Sequence, residues 1–142
     1  MSNAVEAINS VQIGQTVRFS KTVSESDVYL FAGITGDLSP NHVNDEYMKD
    51  TPYGRRIAHG ALMVGYMSAA SSKLVENVPY PIVSYGYDRI RFIRPCFLGD
   101  TITVEYRVEE KVEEKAQLIS KATVTNQNGD VLTVATHIMK FV

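Results

Sequence analysis

The sequence predicts a single α+β domain, an antiparallel sheet of about five strands curved around one buried helix. Three observations predict it. One strand-like segment precedes a helical half, and four strand-like segments follow it. Residues 60–76 (GALMVGYMSAASSKLVE) are apolar on most sides, with few charges before Lys73, which is the pattern of a buried helix. The 142 residues suffice for one hydrophobic core and leave little room for a second.

Each element has a local reason. Residues 16–22 (TVRFSKT) alternate polar and apolar side chains, the period of a half-buried strand. Ser24 opens Ser-x-x-Asp, a capping box with Asp27 in place of Glu. Val28, Phe31 and Ala32 then share one face of a short helix that Gly36-Asp37 ends. Residues 35–43 (TGDLSPNHV) read as a loop, because Pro40 has no N–H to donate and disfavours helix at Ser39. Asn44-Asp45-Glu46 caps a second short helix through Met48, broken by Pro52 and Gly54. Residues 82–94, 101–112, 116–126 and 131–141 read as the remaining strands, with turns at Phe97-Leu98-Gly99-Asp100 and Asn128-Gly129. Residues 1–11 are expected to be a poorly ordered or peripheral start to a domain spanning 1–142.

Composition narrows the function. Hydrophobic residues make up 44% and charged residues 21%, ordinary globular usage. A net charge of -2 offers no global field for nucleic acid or an anionic membrane, and no basic helical patch stands out. No stretch approaches the roughly 18 apolar residues of a spanning helix. Residues 1–12 lack the basic start and apolar run of a signal peptide. Cys96 is the one cysteine, so there is no internal disulfide and no Cys cluster for zinc. A cytoplasmic protein without metal or cofactor is the expectation.

The chemistry concentrates in two short segments. Residues 31–42 read Phe-Ala-Gly-Ile-Thr-Gly-Asp-Leu-Ser-Pro-Asn-His, and residues 56–62 read Arg-Ile-Ala-His-Gly-Ala-Leu. Gly-Asp-x-x-Pro-x-His, then Ala-His-Gly opening an apolar helix, then Phe92-x-x-Pro95 and Phe97-Leu98-Gly99-Asp100, resembles the MaoC-like (R)-specific enoyl-CoA hydratases over residues 12–142. The resemblance implies a hot-dog fold and reversible hydration of an enoyl thioester carried by CoA or acyl carrier protein. It implies that Asp37 and His42 hold the water, and that the Gly60 backbone N–H takes the thioester oxygen. It also implies that the Ser68 hydroxyl supports the pair, and that the subunits form a homodimer or an assembly of dimers. Ser39 stands where many members have Asn, and Asn41 where many have an aliphatic residue, so both bear on the substrate.

The spacing also makes chemical sense without the resemblance. Adding water to a conjugated thioester needs a base for the water, a proton for Cα and a donor for the thioester oxygen. A carboxylate and an imidazole on one short loop can share one water. The first N–H groups of a helix, at Gly60, lack intrahelical partners and sit at its positive end.

Blander readings apply elsewhere. His59 is expected to cap or brace the helix start. His137 alternates within a strand and is expected at the surface. Arg89, Arg91 and Arg94 are expected on a solvated strand face, with contact to CoA phosphates as the alternative. Cys96 has no activating neighbour. Two other functions fit a similar chain: a hot-dog thioesterase, and a non-catalytic acyl-CoA-binding protein that would lack the acid–base pair.

Overall fold

The computed structural model describes residues 2–142. Ten elements follow in order: helix α1 (Ser2–Asn9), strand β1 (Thr16–Thr22), helices α2 (Glu25–Thr35), α3 (Pro40–Val43), α4 (Asp45–Met48) and α5 (Gly60–Val75), then strands β2 (Ile82–Phe92), β3 (Thr101–Val112), β4 (Gln117–Thr125) and β5 (Val131–Phe141). The five strands form one sheet in the order β1-β3-β4-β5-β2, every pair antiparallel. β2 is bulged against β5 between Ser84 and Gly86 and between Asp88 and Arg91, and Arg89 there takes a left-handed φ of 55°.

Alternation decides what the sheet buries. Ile102, Val104, Tyr106 and Val108 of β3 point inward, as do Leu118, Ala122 and Val124 of β4 and Ala135, Met139 and Phe141 of β5. Met63, Tyr66, Met67, Ala70 and Leu74 of α5 pack on that surface at helical spacing. The five-stranded sheet around a central helix is the hot-dog fold. In this chain α5 is not buried all round, however. Ala61, Gly65, Ser68 and Ser72 form an exposed stripe of small residues along its outer side.

Three expectations need correction. The start expected over residues 1–11 is not peripheral where it is described: α1 is helical, and Ala7, Ile8 and Val11 are fully buried in the core, while residue 1 lies outside the described residues. A helix this short gains its stability from the apolar face it docks, which local pattern alone does not reveal. Residues 40–43 are helical rather than loop, because Pro40 occupies the first turn, where its missing N–H costs nothing. His137 is not at the surface. It lies on the inward face of β5 at 0% exposure.

His137 is held from both sides. Its Nδ1 is 2.7 Å from the Tyr106 hydroxyl and its Nε2 is 2.7 Å from the Ser84 hydroxyl, while Tyr87 stacks on the ring. Burial pushes its pKa down to about 4, so the ring is neutral near pH 7. Two hydroxyls that can each donate or accept satisfy a neutral imidazole in either tautomer.

No helix among the described residues is long and apolar enough to cross a membrane.

Candidate active site

Local rules deliver Asp37 and His42 to one place. Ser24 accepts from the Asp27 N–H while the Ser24 N–H donates to the Asp27 carboxylate, so the capping box starts α2 as expected. Gly36 ends α2 at a φ of 82°, a conformation glycine adopts without strain, with its N–H on the Ala32 carbonyl at 2.9 Å. The Asp37 N–H then donates to Thr35 Oγ1, and the Ser39 N–H donates to Asp37 Oδ1 at 3.3 Å. Pro40 begins α3, and one turn of helix carries His42 inward.

A second segment locks this one. The Ile57 N–H donates to the Asn41 carbonyl at 3.0 Å, and His42 Nδ1 is 2.7 Å from the Ile57 carbonyl. A carbonyl only accepts, so Nδ1 carries the proton and the neutral ring keeps its lone pair on Nε2. His59 Nε2 donates in the same way to the Asp37 carbonyl at 2.9 Å. The His42 and His59 rings stack at 3.7 Å between centroids and 26° between planes, with Phe31 against His59 at 4.8 Å. His42 is 9% exposed and His59 2%, while Asp37 is exposed. His59 occupies the N-cap position of α5 without a side-chain cap bond. It braces the helix start and the Asp37 backbone, and its Nδ1 is buried without a partner.

Ligand atoms of Asp37, His42 and His59 lie within 4.8 Å of one another. A carboxylate with two imidazoles is a donor set that zinc uses. Rings stacked this nearly parallel have planes that meet far beyond the about 2.0–2.1 Å of a Zn–N bond, so their lone pairs do not converge on one ion. The arrangement suits proton transfer better than ligation.

A cleft of about 320 Å³ opens beside the cluster, lined by His42, Ile57, Gly60, Met63, Phe92 and Cys96 among others. Gly60 is the first residue of α5, so its N–H has no intrahelical acceptor. Any Cβ at this position would stand 2.7 Å from the Phe92 ring. Glycine is therefore required by the packing of Phe92, and the space expected for a thioester is partly filled by that ring. Burial pushes the Cys96 thiol up to about 12, with Asp100 adding to the effect, which leaves it protonated and poorly nucleophilic.

The structure thus brings Asp37, His42, His59 and Gly60 together. Asp37 sits beside the cleft rather than in its wall. Ser39 and Asn41 flank the pair; Asn41 is exposed and contributes its backbone carbonyl. Ser68 lies apart, on the exposed side of α5, eight residues or roughly 12 Å along the axis from Gly60. Sequence reasoning quoted Phe31, Arg56 and Phe92 within the motifs but gave them no role. Arg56, adjacent to Ile57, holds Asp45 at 2.6 Å, the Tyr29 hydroxyl at 2.8 Å and Glu25 at 3.2 Å. It ties α2 and α4 to the segment that fixes His42. The one available signal for Arg56 was its place at the head of the segment 56–62.

The chain is also similar to known proteins. The family described as "MaoC like domain" matches residues 9–130. An (R)-specific enoyl-CoA hydratase from Rhodospirillum rubrum is 39% identical over 115 residues, covering 81% of this chain and 78% of that protein. A 3-hydroxybutyryl-CoA dehydratase from Methylorubrum extorquens is 36% identical over 105 residues, 74% of this chain and 65% of that protein. Among solved structures, the (R)-hydratase from A. caviae involved in PHA biosynthesis superposes with a TM-score of 0.85 at 25% identity, covering 94% of this chain and 98% of that one. An unliganded R-hydratase from Pseudomonas aeruginosa gives 0.83 at 31% identity, over 94% of this chain and 84% of that one. The carboxylate–imidazole loop, the glycine-started central helix and these matches together place the chain in the MaoC-like family of hot-dog proteins.

Proposed function

We propose that this protein is a hydro-lyase that reversibly hydrates a trans-2-enoyl thioester to the (R)-3-hydroxyacyl thioester. The observation that carries the reading is the fixed tautomer of His42. With Nδ1–H held by the Ile57 carbonyl, its Nε2 lone pair is free for the cleft that Gly60 lines, and the Asp37 carboxylate is within 4.8 Å of the histidine cluster.

The chemistry follows from those positions. A water between Asp37 and His42 donates one hydrogen to each, so its own lone pair faces Cβ. As the C–O bond forms, one proton passes to His42 Nε2, and the carbonyl on Nδ1–H stabilises the imidazolium. The π electrons move toward the thioester oxygen, which the Gly60 N–H receives at the positive end of α5. Nε2 then returns the proton to Cα on the same face, and the other hydrogen stays on the new hydroxyl. The reverse sequence is dehydration.

The assembly belongs to the same reading. β2 is a sheet edge, and Val83, Tyr85 and Phe92 along it and Ile93 just beyond it are exposed. A second copy paired at this edge would cover them, together with the small-residue stripe on α5, and form a homodimer. The test of activity is loss of enone absorbance with crotonyl-CoA, followed by chiral analysis of the product. No loss of absorbance across short and long enoyl-CoAs, or formation of the (S) product, overturns the assignment.

A further inference from the structure

Asp37 and His42 can share one water only if both are held in place, and His59 is joined to both. Its Nε2–H donates to the Asp37 carbonyl at 2.9 Å, and its ring stacks on His42 at 3.7 Å between centroids. Each partner needs that support. The Asp37 side chain is exposed, and its contact with the Ser39 N–H is long at 3.3 Å. Its position therefore comes from its backbone, which the Thr35 hydroxyl holds at the N–H and His59 holds at the carbonyl. For His42, the bond from Nδ1 to the Ile57 carbonyl fixes one point of the ring, and the stacked face of His59 fixes its plane. The His59 backbone adds a third link. Its carbonyl accepts the Leu62 N–H at 3.1 Å, which sets the peptide plane that carries the Gly60 N–H.

The ordinary reasons for a histidine here do not account for it. His59 occupies the N-cap of α5, yet its side chain makes no cap bond. The residue is almost fully buried, and its Nδ1 lone pair has no donor among the described residues. A buried acceptor without a partner costs stability. A phenylalanine would present a ring to Phe31 and His42 without that cost, but it has nothing to donate to Asp37. What the imidazole supplies, and an apolar ring does not, is the Nε2–H.

We propose that His59 is the positioning residue of the site: its Nε2–H anchors the Asp37 backbone while its ring seats His42, so that carboxylate and imidazole meet one water. The proposal rests on the hydratase reading for the reaction that this arrangement serves. It gives His59 no contact with the substrate and no proton to transfer. His59 acts through Asp37 by the hydrogen bond and through His42 by the stack, and the two links can be cut separately.

His59→Phe keeps an aromatic ring and removes the donor, whereas His59→Gln keeps an amide donor and removes the ring. With crotonyl-CoA, His59→Phe should lower kcat by about 10–100-fold, the penalty of a displaced catalytic group, and leave KM within about 3-fold. Its melting temperature should stay near that of the wild type, since one hydrogen bond and one stranded lone pair are removed together. His59→Gln should exceed His59→Phe in kcat by about 3-fold or more, because the donor is restored. In an Asp37→Asn background the cost of His59→Phe should nearly vanish, because the lost bond acts only through Asp37. A further measurement needs no substrate. Heteronuclear NMR of the imidazole nitrogens should show His59 protonated at Nε2 and His42 at Nδ1. A His59 whose Nε2 carries no proton overturns the proposal. So does a rise in KM with kcat unchanged, or a full penalty for His59→Phe in the Asp37→Asn background. A His59→Phe protein that melts far below the wild type makes His59 a packing residue and overturns it too. Absence of turnover by the wild type overturns the hydratase reading instead, and the NMR measurement still decides whether His59 anchors Asp37.

Discussion

His42 shows how much one side chain owes to a single backbone atom. The Ile57 carbonyl selects its tautomer, and that choice decides which nitrogen can take a proton in the cleft. Asp37→Asn and His42→Ala should each lower kcat on an enoyl-CoA by about 10²-fold or more, since acid–base assistance alone is worth about 10²–10⁴. The double variant should fall little further, because two groups that share one water fail together. Steady-state kinetics with thermal melting as a folding control check this, and either single variant retaining more than about a tenth of kcat contradicts it. Gly60 offers a different test at the same scale. A methyl group there would stand 2.7 Å from the Phe92 ring, so the ring has to shift. Gly60→Ala should therefore cost about 1–3 kcal/mol of stability, displace the ring that lines the cleft and lower kcat/KM by about 10-fold or more. Adding Phe92→Ala should recover part of that loss. Purely additive losses in the two variants would show that the ring is not the cause.

At the scale of elements, strand β5 and helix α1 were the hardest to read. The outward residues of β5 (Val134, Thr136, Ile138) are no more polar than the inward Thr133, Ala135 and His137, so the phase of alternation could not place His137. Its burial has a consequence in pH. The unfolded chain binds a proton near pH 6.5, while the folded ring resists until about 4. The stabilisation is therefore complete above 6.5 and is lost as pH falls toward 4, by roughly 3 kcal/mol at most. The groups facing the ring (Tyr106, Ser84 and Tyr87) are neutral hydroxyl side chains and do not supply a countercharge. Melting temperature against pH for wild type and His137→Gln checks this. The wild type should lose stability between pH 6.5 and 4 more steeply than the variant, and parallel curves would refute the assignment. For α1, Ile8→Ala should cost about 2–5 kcal/mol, the range for a fully buried aliphatic side chain. A change within about 0.5 kcal/mol in a denaturant titration would mean that α1 does not belong to the cooperative core.

At the scale of the whole molecule, apolar surface argues for a second copy. Tyr85, Phe92 and Ile93 lie along or just beyond the β2 edge, and Leu30, Ile34 and Leu38 are exposed on and just after α2. Exposed apolar groups on an open strand edge are an association surface unless covered. Sedimentation at micromolar concentration should give a dimer or a multiple of it. Val83→Lys/Tyr85→Lys, which places charge on the edge, should shift the mass toward the monomer and reduce activity with it. A wild-type monomer with full activity would contradict the proposed assembly.

What the sequence by itself determined is what short-range physics decides. A capping box and a C-cap glycine act within a few residues, so Asp37 and His42 could be placed on one short segment after α2 in advance, although the turn of helix that Pro40 starts was read as loop. Period-two alternation located the four later strands, and the apolar run 60–76 located the central helix. The tertiary structure alone decided which faces meet. It put His59 under His42, Phe92 over Gly60 and His137 in the core, and it turned Ser68 outward on α5. Each of these depends on contacts between residues far apart in the chain, and local propensity carries no information about a partner that arrives only when the sheet closes around the helix.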